Sequence, residues 1–258
     1  MKAVTGVFRS ADDAERAVSQ LREVGVTEDR LTLLTPGHAA TPPTASTEQP
    51  GMGKAIGALV GGAAGLSGGP LLVAALIPGV GPITAVGLLG GAVLAAAGAS
   101  VGAVFGARSE NFMTDGLPED ELFVYEDSLR KGRSVVIAMV KDESEASRVR
   151  ELLRTEGAES VDAAREEWWV GLRSAEQEHY SAQGRNFGEH EKFYRLGFES
   201  ALHARTRCKE YDQVMNEMTA KMEDVERENG KDAAEAFRGG YERGRDYYQT
   251  LCNESKAA

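Results

Sequence analysis

Two residue pairs in the last third of the chain have the types and spacing to ligate a metal. Glu176 and His179 form an E-x-x-H, and Glu199 lies four residues before His203, so each pair would share one face of a helix. A helical di-metal carboxylate centre needs a second E-x-x-H and two more inward glutamates on facing helices. Those spacings are absent, and both pairs sit among other charged residues, as on a solvated face. Phosphate-binding and hydrolytic patterns fail in the same way. Gly53-Lys54 is preceded by no G-x-x-x-x-G-K-[ST] loop and followed by Ala55, and Gly79-Val80-Gly81-Pro82 puts proline where a cradling amide is needed. There is no G-x-S-x-G elbow and no H-E-x-x-H. No catalytic residue, metal ligand or cofactor is assigned, and no enzyme is expected.

The bulk composition narrows the partners. A net charge of −11 over 258 residues, without a basic stripe, excludes a general nucleic-acid footprint. Cys208 and Cys252 stand 44 residues apart with no second ligand pair near either, which reads as two ordinary thiols in a reducing compartment. The opening MKAVTGVFRSADDAERA lacks the apolar core of a signal peptide, so export by that route is not expected.

The element with the strongest physical demand lies between Lys54 and Arg108, where 53 residues carry no charge. Gly57, Gly61, Gly65 and Gly69 recur every four residues, as do Gly98, Gly102 and Gly106; Gly87 and Gly91 continue into Ala95, Ala99 and Ala103. Such rows lie along one side of a helix and let a second backbone approach. A helical Gly costs about 1 kcal/mol against Ala, so lipid or tight packing must compensate. Pro78-Gly79-Val80-Gly81-Pro82 divides the block into arms Ala55–Ile77 and Ile83–Ala107, each with nine Leu, Ile, Val or Phe. At 1.5 Å per residue each arm would reach about 34 to 38 Å, against a hydrocarbon core of about 30 Å. The apolar side chains supply about −3 to −5 kcal/mol toward insertion, which Gly, Ser67, Thr84 and Pro70 nearly cancel. Lys54 and Arg108 flank the hairpin and place both its ends on the cytoplasmic side. With no charged residue inside it, an anchor or oligomerisation element fits better than a transporter.

Around this block the chain reads as two copies of strand, helix, strand. In the first, Lys2–Phe8 is a strand. Ser10 caps a helix bearing Ala14, Ala17, Val18 and Leu21, Gly25 closes it, and Arg30–Leu34 returns. In the second, Val135–Val140 leads to a helix capped by Asp142, with Ala146, Val149, Leu152 and Leu153 inward, Gly157 at its end and a last strand at Ser160–Ala164. Ser10, Ala14, Leu21 and Gly25 fall on Asp142, Ala146, Leu153 and Gly157 at one offset of 132. Pro118–Leu129 reads as a short amphipathic helix, and Thr35–Gly53, rich in Thr, Pro and Ala, as a linker. The fold class is therefore α+β: a split ferredoxin-like sandwich of residues 1–34 and 118–170, with a glycine-zipper helical hairpin at 54–108 inserted between the halves.

VTGVFRSADDAERAVSQLREVGV and VVIAMVKDESEASRVRELLRTEGAE resemble the domain of the bacterial general stress (heat-induced stress) protein family. The likeness covers about Met1–Leu34 and Arg133–Arg165, and the apolar hairpin between such halves is a compositional match. It implies the ferredoxin-like fold and a stress-associated setting, and it transfers no catalytic residue.

From about Ser174 the chain becomes polar, helical and rich in Phe and Tyr, giving a tail over residues 174–258. Tyr211, Val214, Met215, Met218, Met222 and Val225 form one stripe ending near Gly230, and Phe237, Tyr241, Tyr248 and Leu251 another. Tyr194-Arg195-Leu196-Gly197-Phe198-Glu199 echoes Phe237-Arg238-Gly239-Gly240-Tyr241-Glu242, pointing to two related helices that pack through Gly and aromatics. Trp168 and Trp169 are expected to cover the sandwich edge or hold this tail. The functional expectation is a non-enzymatic, membrane-attached homo-oligomer on the cytoplasmic side of a bacterial inner membrane. Its packing residues would be Gly57, Gly61, Gly65, Gly69, Gly87, Gly91, Gly98, Gly102 and Gly106. The alternatives are a soluble cytoplasmic scaffold with shared hairpins, or a metal-binding or enzymatic protein using the tail.

Overall fold

The computed structural model describes residues 1–36, 72–77, 81–86, 120–207, 209–215 and 229–257. The chain divides into two compact units, Met1–Pro118 with Val124–Ala164, and Glu119–Phe123 with Arg165–Ala258.

The first unit is mixed α/β around an antiparallel sheet. In chain order its elements are β1 (Lys2–Phe8), α1 (Ala11–Glu23), β2 (Leu31–Pro36), β3 (Leu72–Ile77), β4 (Gly81–Val86), α2 (Leu122–Arg130, from Val124 onward), β5 (Ser134–Val140), α3 (Glu143–Thr155) and β6 (Glu159–Ser160). The sheet order is β3-β4-β2-β5-β1-β6. β5 runs antiparallel to both β1 and β2, with Val4 opposite Ala138 and Leu33 opposite Val136. The two outer partners of β5 are thus parallel to each other, joined by α1 as a crossover.

The paired helices follow from their caps and stripes. Ser10 Oγ accepts the Asp13 amide at 3.1 Å and Asp142 Oδ1 accepts the Glu145 amide at 2.8 Å, each satisfying an orphan donor of the first turn. Gly25 and Gly157 end the helices at φ +94° and +92°, a left-handed conformation that only Gly adopts without strain. Ala14, Ala17, Val18 and Leu21 of α1 and Ala146, Val149 and Leu153 of α3 are buried in one core with Val4, Phe8, Val136, Ala138 and Val140 of the sheet.

Helices cover the other face as well. Thr5, which alternates with Val4, has its Oγ1 3.0 Å from the Tyr125 hydroxyl of α2. All seven residues of β5 are accordingly buried, matching its unbroken SVVIAMV run. Residues 122–129 of α2 are buried at every position, Glu126 and Asp127 included, so the helix expected to be amphipathic is enclosed on all sides.

Two expectations are corrected. The arms Ala55–Ile77 and Ile83–Ala107 are not continuous helices, because Leu72–Ile77 and Gly81–Val86 are strands. They pair with each other from Leu72–Val86 to Ile77–Gly81, and β4 pairs with β2 from Leu33–Val86 to Pro36–Ile83. The backbone groups of β2 that face away from β5 require partners, and a segment with Val73, Ile77, Ile83, Thr84 and Val86 suits a pleated ladder. The last strand also ends sooner, at Ser160 rather than Ala164. Ser160 Oγ accepts the Ala163 amide at 3.1 Å, and Val161, Ala164 and Trp168 fall on a helical stripe.

An ion pair between buried Arg30 and half-buried Glu145 ties the turn before β2 to α3. Arg30 Nη1 donates to both Glu145 carboxylate oxygens at 2.8 and 3.0 Å and to the Met139 carbonyl at 3.1 Å. Glu145 also accepts the Lys141 amide at 2.6 Å. That amide, then Arg30, holds the Glu145 carboxyl below the ordinary carboxylate range. A lowered folded-state value gives stability that is complete above the unfolded value, about 4.3, and is lost as pH falls through the folded one. Arg30→Met should cost about 1 to 2 kcal/mol in chemical denaturation at neutral pH, since it leaves the half-buried Glu145 carboxylate with the Lys141 amide alone. Glu145→Gln should flatten the loss of stability below about pH 4.3 in a pH series of melting curves.

Candidate functional site

Gly57, Gly61, Gly65, Gly69, Gly87, Gly91, Gly98, Gly102 and Gly106, with the flanking Lys54 and Arg108, all lie outside the described residues. What the structure does display is glycine-mediated helix contact in the second unit, at the echo of the two hexapeptides. The unit contains α4 (Val161–Ser181, from Arg165 onward), α5 (Phe187–Leu202) and α6 (Lys231–Ala257). The short helical stretch 211–215 precedes α6.

α5 and α6 touch backbone to backbone. A Cβ on Gly197 would lie 1.9 Å from the Phe237 carbonyl oxygen, and a Cβ on Gly240 would lie 1.9 Å from that of Tyr194. Gly244 is similarly pressed, at 2.4 Å from the Phe198 carbonyl. The first two contacts are each other's image under the 43-residue echo, which carries Tyr194 to Phe237 and Gly197 to Gly240.

Three further pairs repeat the image. Arg195 Nε donates to Glu199 at 2.6 Å, as Arg238 Nε donates to Glu242 at 2.9 Å. The Arg195 guanidinium lies 5.6 Å over Trp169 and that of Arg238 lies 5.0 Å over Tyr211. Phe198 meets Trp169 edge-on at 5.9 Å and 70°, and Tyr241 meets Tyr211 at 5.6 Å and 69°. The echo is an internal repeat in three dimensions. The hexapeptides carried its Arg, Gly, aromatic and Glu, but the partners Trp169 and Tyr211 stand 42 residues apart in no common motif.

A buried charge cluster joins α4 to both glycine helices. Arg243 grips Glu176 through Nε and Nη2, at 3.1 and 2.8 Å, and the Tyr194 hydroxyl donates to the same carboxylate at 2.6 Å. Glu176 is 3% exposed. Burial first, then the bond to Glu176, pushes the Tyr194 phenol far above its ordinary value, so it remains a donor at any physiological pH.

In this arrangement the residues of the two metal-like pairs have other partners. Glu176 is occupied by Arg243 and Tyr194, while His179 Nε2 lies 3.2 Å from Gln183 Nε2. Glu199 faces Arg195 and Arg165, and the His203 ring stacks at 6.3 Å on Phe123. Among the described residues no group of three or more His, Cys, Asp or Glu could hold a metal. Trp168 is buried against Phe123 and Phe198, Trp169 against Phe198, all in the second unit. Tyr211, Val214 and Met215 of the first stripe pack with Ala201 and Tyr241, while Met218, Met222 and Val225 lie outside the described residues.

Beside the crossing lies a polar groove of about 540 Å³, walled by the end of α4, Arg185 and one face of α6. Its charged side chains are Arg185, Glu235, Arg238, Glu242, Arg243 and Asp246, with His179 beside them. Arg185 gave no sequence signal, because it enters from the α4–α5 connection and only the fold sets it against α6.

No family model, curated protein or solved structure matches the chain.

The crossing makes a sharp test, because Gly239 sits beside Gly240 yet has room: a Cβ there would lie 3.8 Å from its nearest neighbour, the Tyr194 ring. Gly197→Ala and Gly240→Ala should each cost about 3 kcal/mol or more in urea denaturation, as the helices must part. Gly239→Ala should be neutral or gain up to about 1 kcal/mol from helix propensity. Equal effects at all three positions would refute the close crossing.

Proposed function

We propose that this chain is a non-enzymatic, stress-associated protein that self-associates and attaches to a membrane through its uncharged glycine-rich segment. The domain carrying that segment is read as a split ferredoxin-like sandwich. The order β2-β5-β1-β6 and the coincidence of Ala11–Glu23 with Glu143–Thr155 at an offset of 132 support that reading.

The observation that carries the proposal is the 53-residue run without charge, whose glycines keep a four-residue spacing on both sides of the β3–β4 pair. The pair also limits how a bilayer could be engaged. Among the described residues no helix is long and apolar enough to cross a membrane. β3 and β4 belong to the sheet, so the uncharged residues left over are 55–71, 87–107 and the three between the strands, 78–80. As helices, which satisfy their own backbone groups in hydrocarbon, 17 and 21 residues would reach about 26 and 32 Å. Neither stretch could cross about 30 Å of hydrocarbon and come back. Attachment is therefore proposed from one leaflet, on the cytoplasmic side, with glycine rows of neighbouring copies packed together.

The membership of β3 and β4 in the sheet favours a second reading, a soluble homo-oligomeric scaffold. There the same glycine rows bury one another without lipid.

Carbonate-washed membrane fractionation separates the two readings. The membrane form stays with the pellet and is released by detergent, whereas the scaffold stays in the supernatant or sediments independently of detergent. Gly61→Leu with Gly65→Leu should lower oligomer mass in sedimentation velocity, or move the protein out of the membrane fraction. Unchanged mass together with unchanged fractionation would overturn the proposal.

A further inference from the structure

We propose that the groove beside Arg238 binds a small organic oxyanion, a carboxylate or a phosphate ester, with the Arg238 guanidinium as its main anchor. The internal repeat supplies the argument, because it shows the same arginine twice in nearly the same surroundings.

In the first copy Arg195 is fully engaged. Its Nε donates to Glu199, its Nη1 donates to Glu166 at 2.6 Å, and its face lies over Trp169. In the second copy Arg238 repeats the bond to the glutamate four residues on and the stacking on an aromatic ring. Among the described residues no second carboxylate bonds to it, although Asp212 acts on it through space. Glu166 stands three residues before Trp169, whereas Cys208 stands three residues before Tyr211. Among the described residues no carboxylate reaches the Nη groups of Arg238, and its side chain is 54% exposed where that of Arg195 is 20%. The first copy thus fills with a carboxylate from the chain a position that the second copy leaves open to the groove.

The rest of the wall suits the same chemistry. Arg185 uses Nη2 on Glu235 at 3.2 Å, and Arg243 uses Nε and Nη2 on Glu176, so each retains N–H groups for an anion. Glu242, Glu235 and Asp246 balance the arginines, which favours an anion that also carries hydroxyl or ammonium donors over a bare polyanion. A volume of about 540 Å³ falls in the range of small-metabolite sites.

The site is independent of the glycine-rich segment, so its test is separate from fractionation and oligomer mass. The full chain is titrated with inorganic phosphate and with succinate by isothermal calorimetry at low chloride. The expectation is saturable binding of at least one probe, weakened about tenfold or more in Arg238→Gln and in Arg185→Gln, with Arg238→Lys intermediate because it loses the planar fork. Melting curves of the unliganded variants, unchanged from the parent, exclude a folding effect; if Arg238→Gln melts early, Arg185→Gln carries the test. Phosphate alone binding assigns a phosphate ligand, and succinate alone a carboxylate. Absence of saturation by either probe at tens of millimolar, or undiminished binding in folded Arg238→Gln and Arg185→Gln, overturns the proposal.

Discussion

Backbone against backbone, α5 and α6 meet at a distance that no side chain tolerates. Gly197 faces the Phe237 carbonyl and Gly240 faces that of Tyr194, each with room for a hydrogen and nothing larger. The helical second unit is arranged about that contact. It brings Tyr194 to Glu176, sets Arg243 on the same carboxylate, and leaves Phe198 and Tyr241 edge-on to Trp169 and Tyr211. Burying Glu176 is tolerable because three donors reach it; without Arg243 or Tyr194 a desolvated charge would remain. Glycine gives up helix propensity here and gains close dispersion contact along two backbones.

In the proposed assembly the glycine-rich segment between Lys54 and Arg108 makes the same exchange: its glycine rows would need a partner backbone, and its uncharged surface lipid or protein. The β3–β4 pair restricts how that need is met, because it draws twelve residues of the segment into the sheet of the first unit. Two free arms would reach further into a bilayer than the segment can once those residues are held in the sheet.

The internal repeat also sharpens the view of charge in the second unit. Copies of one motif differ where Arg195 finds Glu166 and Arg238 finds open groove. Exposed Arg–Glu pairs contribute little to stability, so the difference bears on what the surface can bind.

Much of the first unit was legible in the residues. Ser10 and Asp142 as caps, Gly25 and Gly157 as closures, and the inward faces of α1 and α3 all follow from side-chain chemistry within a few positions along the chain. The hexapeptide echo marked Gly197 and Gly240 as packing points for the same reason. Ser160 reads as the first residue of a strand, because its alternation with Val161 imitates one, whereas its hydroxyl caps the helix that follows β6. Other features depended on distant partners. Leu72–Ile77 and Gly81–Val86 have the apolar, uncharged character of either state, and the unpaired edge of β2 decided for strand. The Arg30–Glu145 pair and the grip of Arg243 on Glu176 span 115 and 67 residues, where no local pattern reaches. Short-range geometry is written in spacing and residue type; which backbone lies against which is settled only when the whole chain has packed.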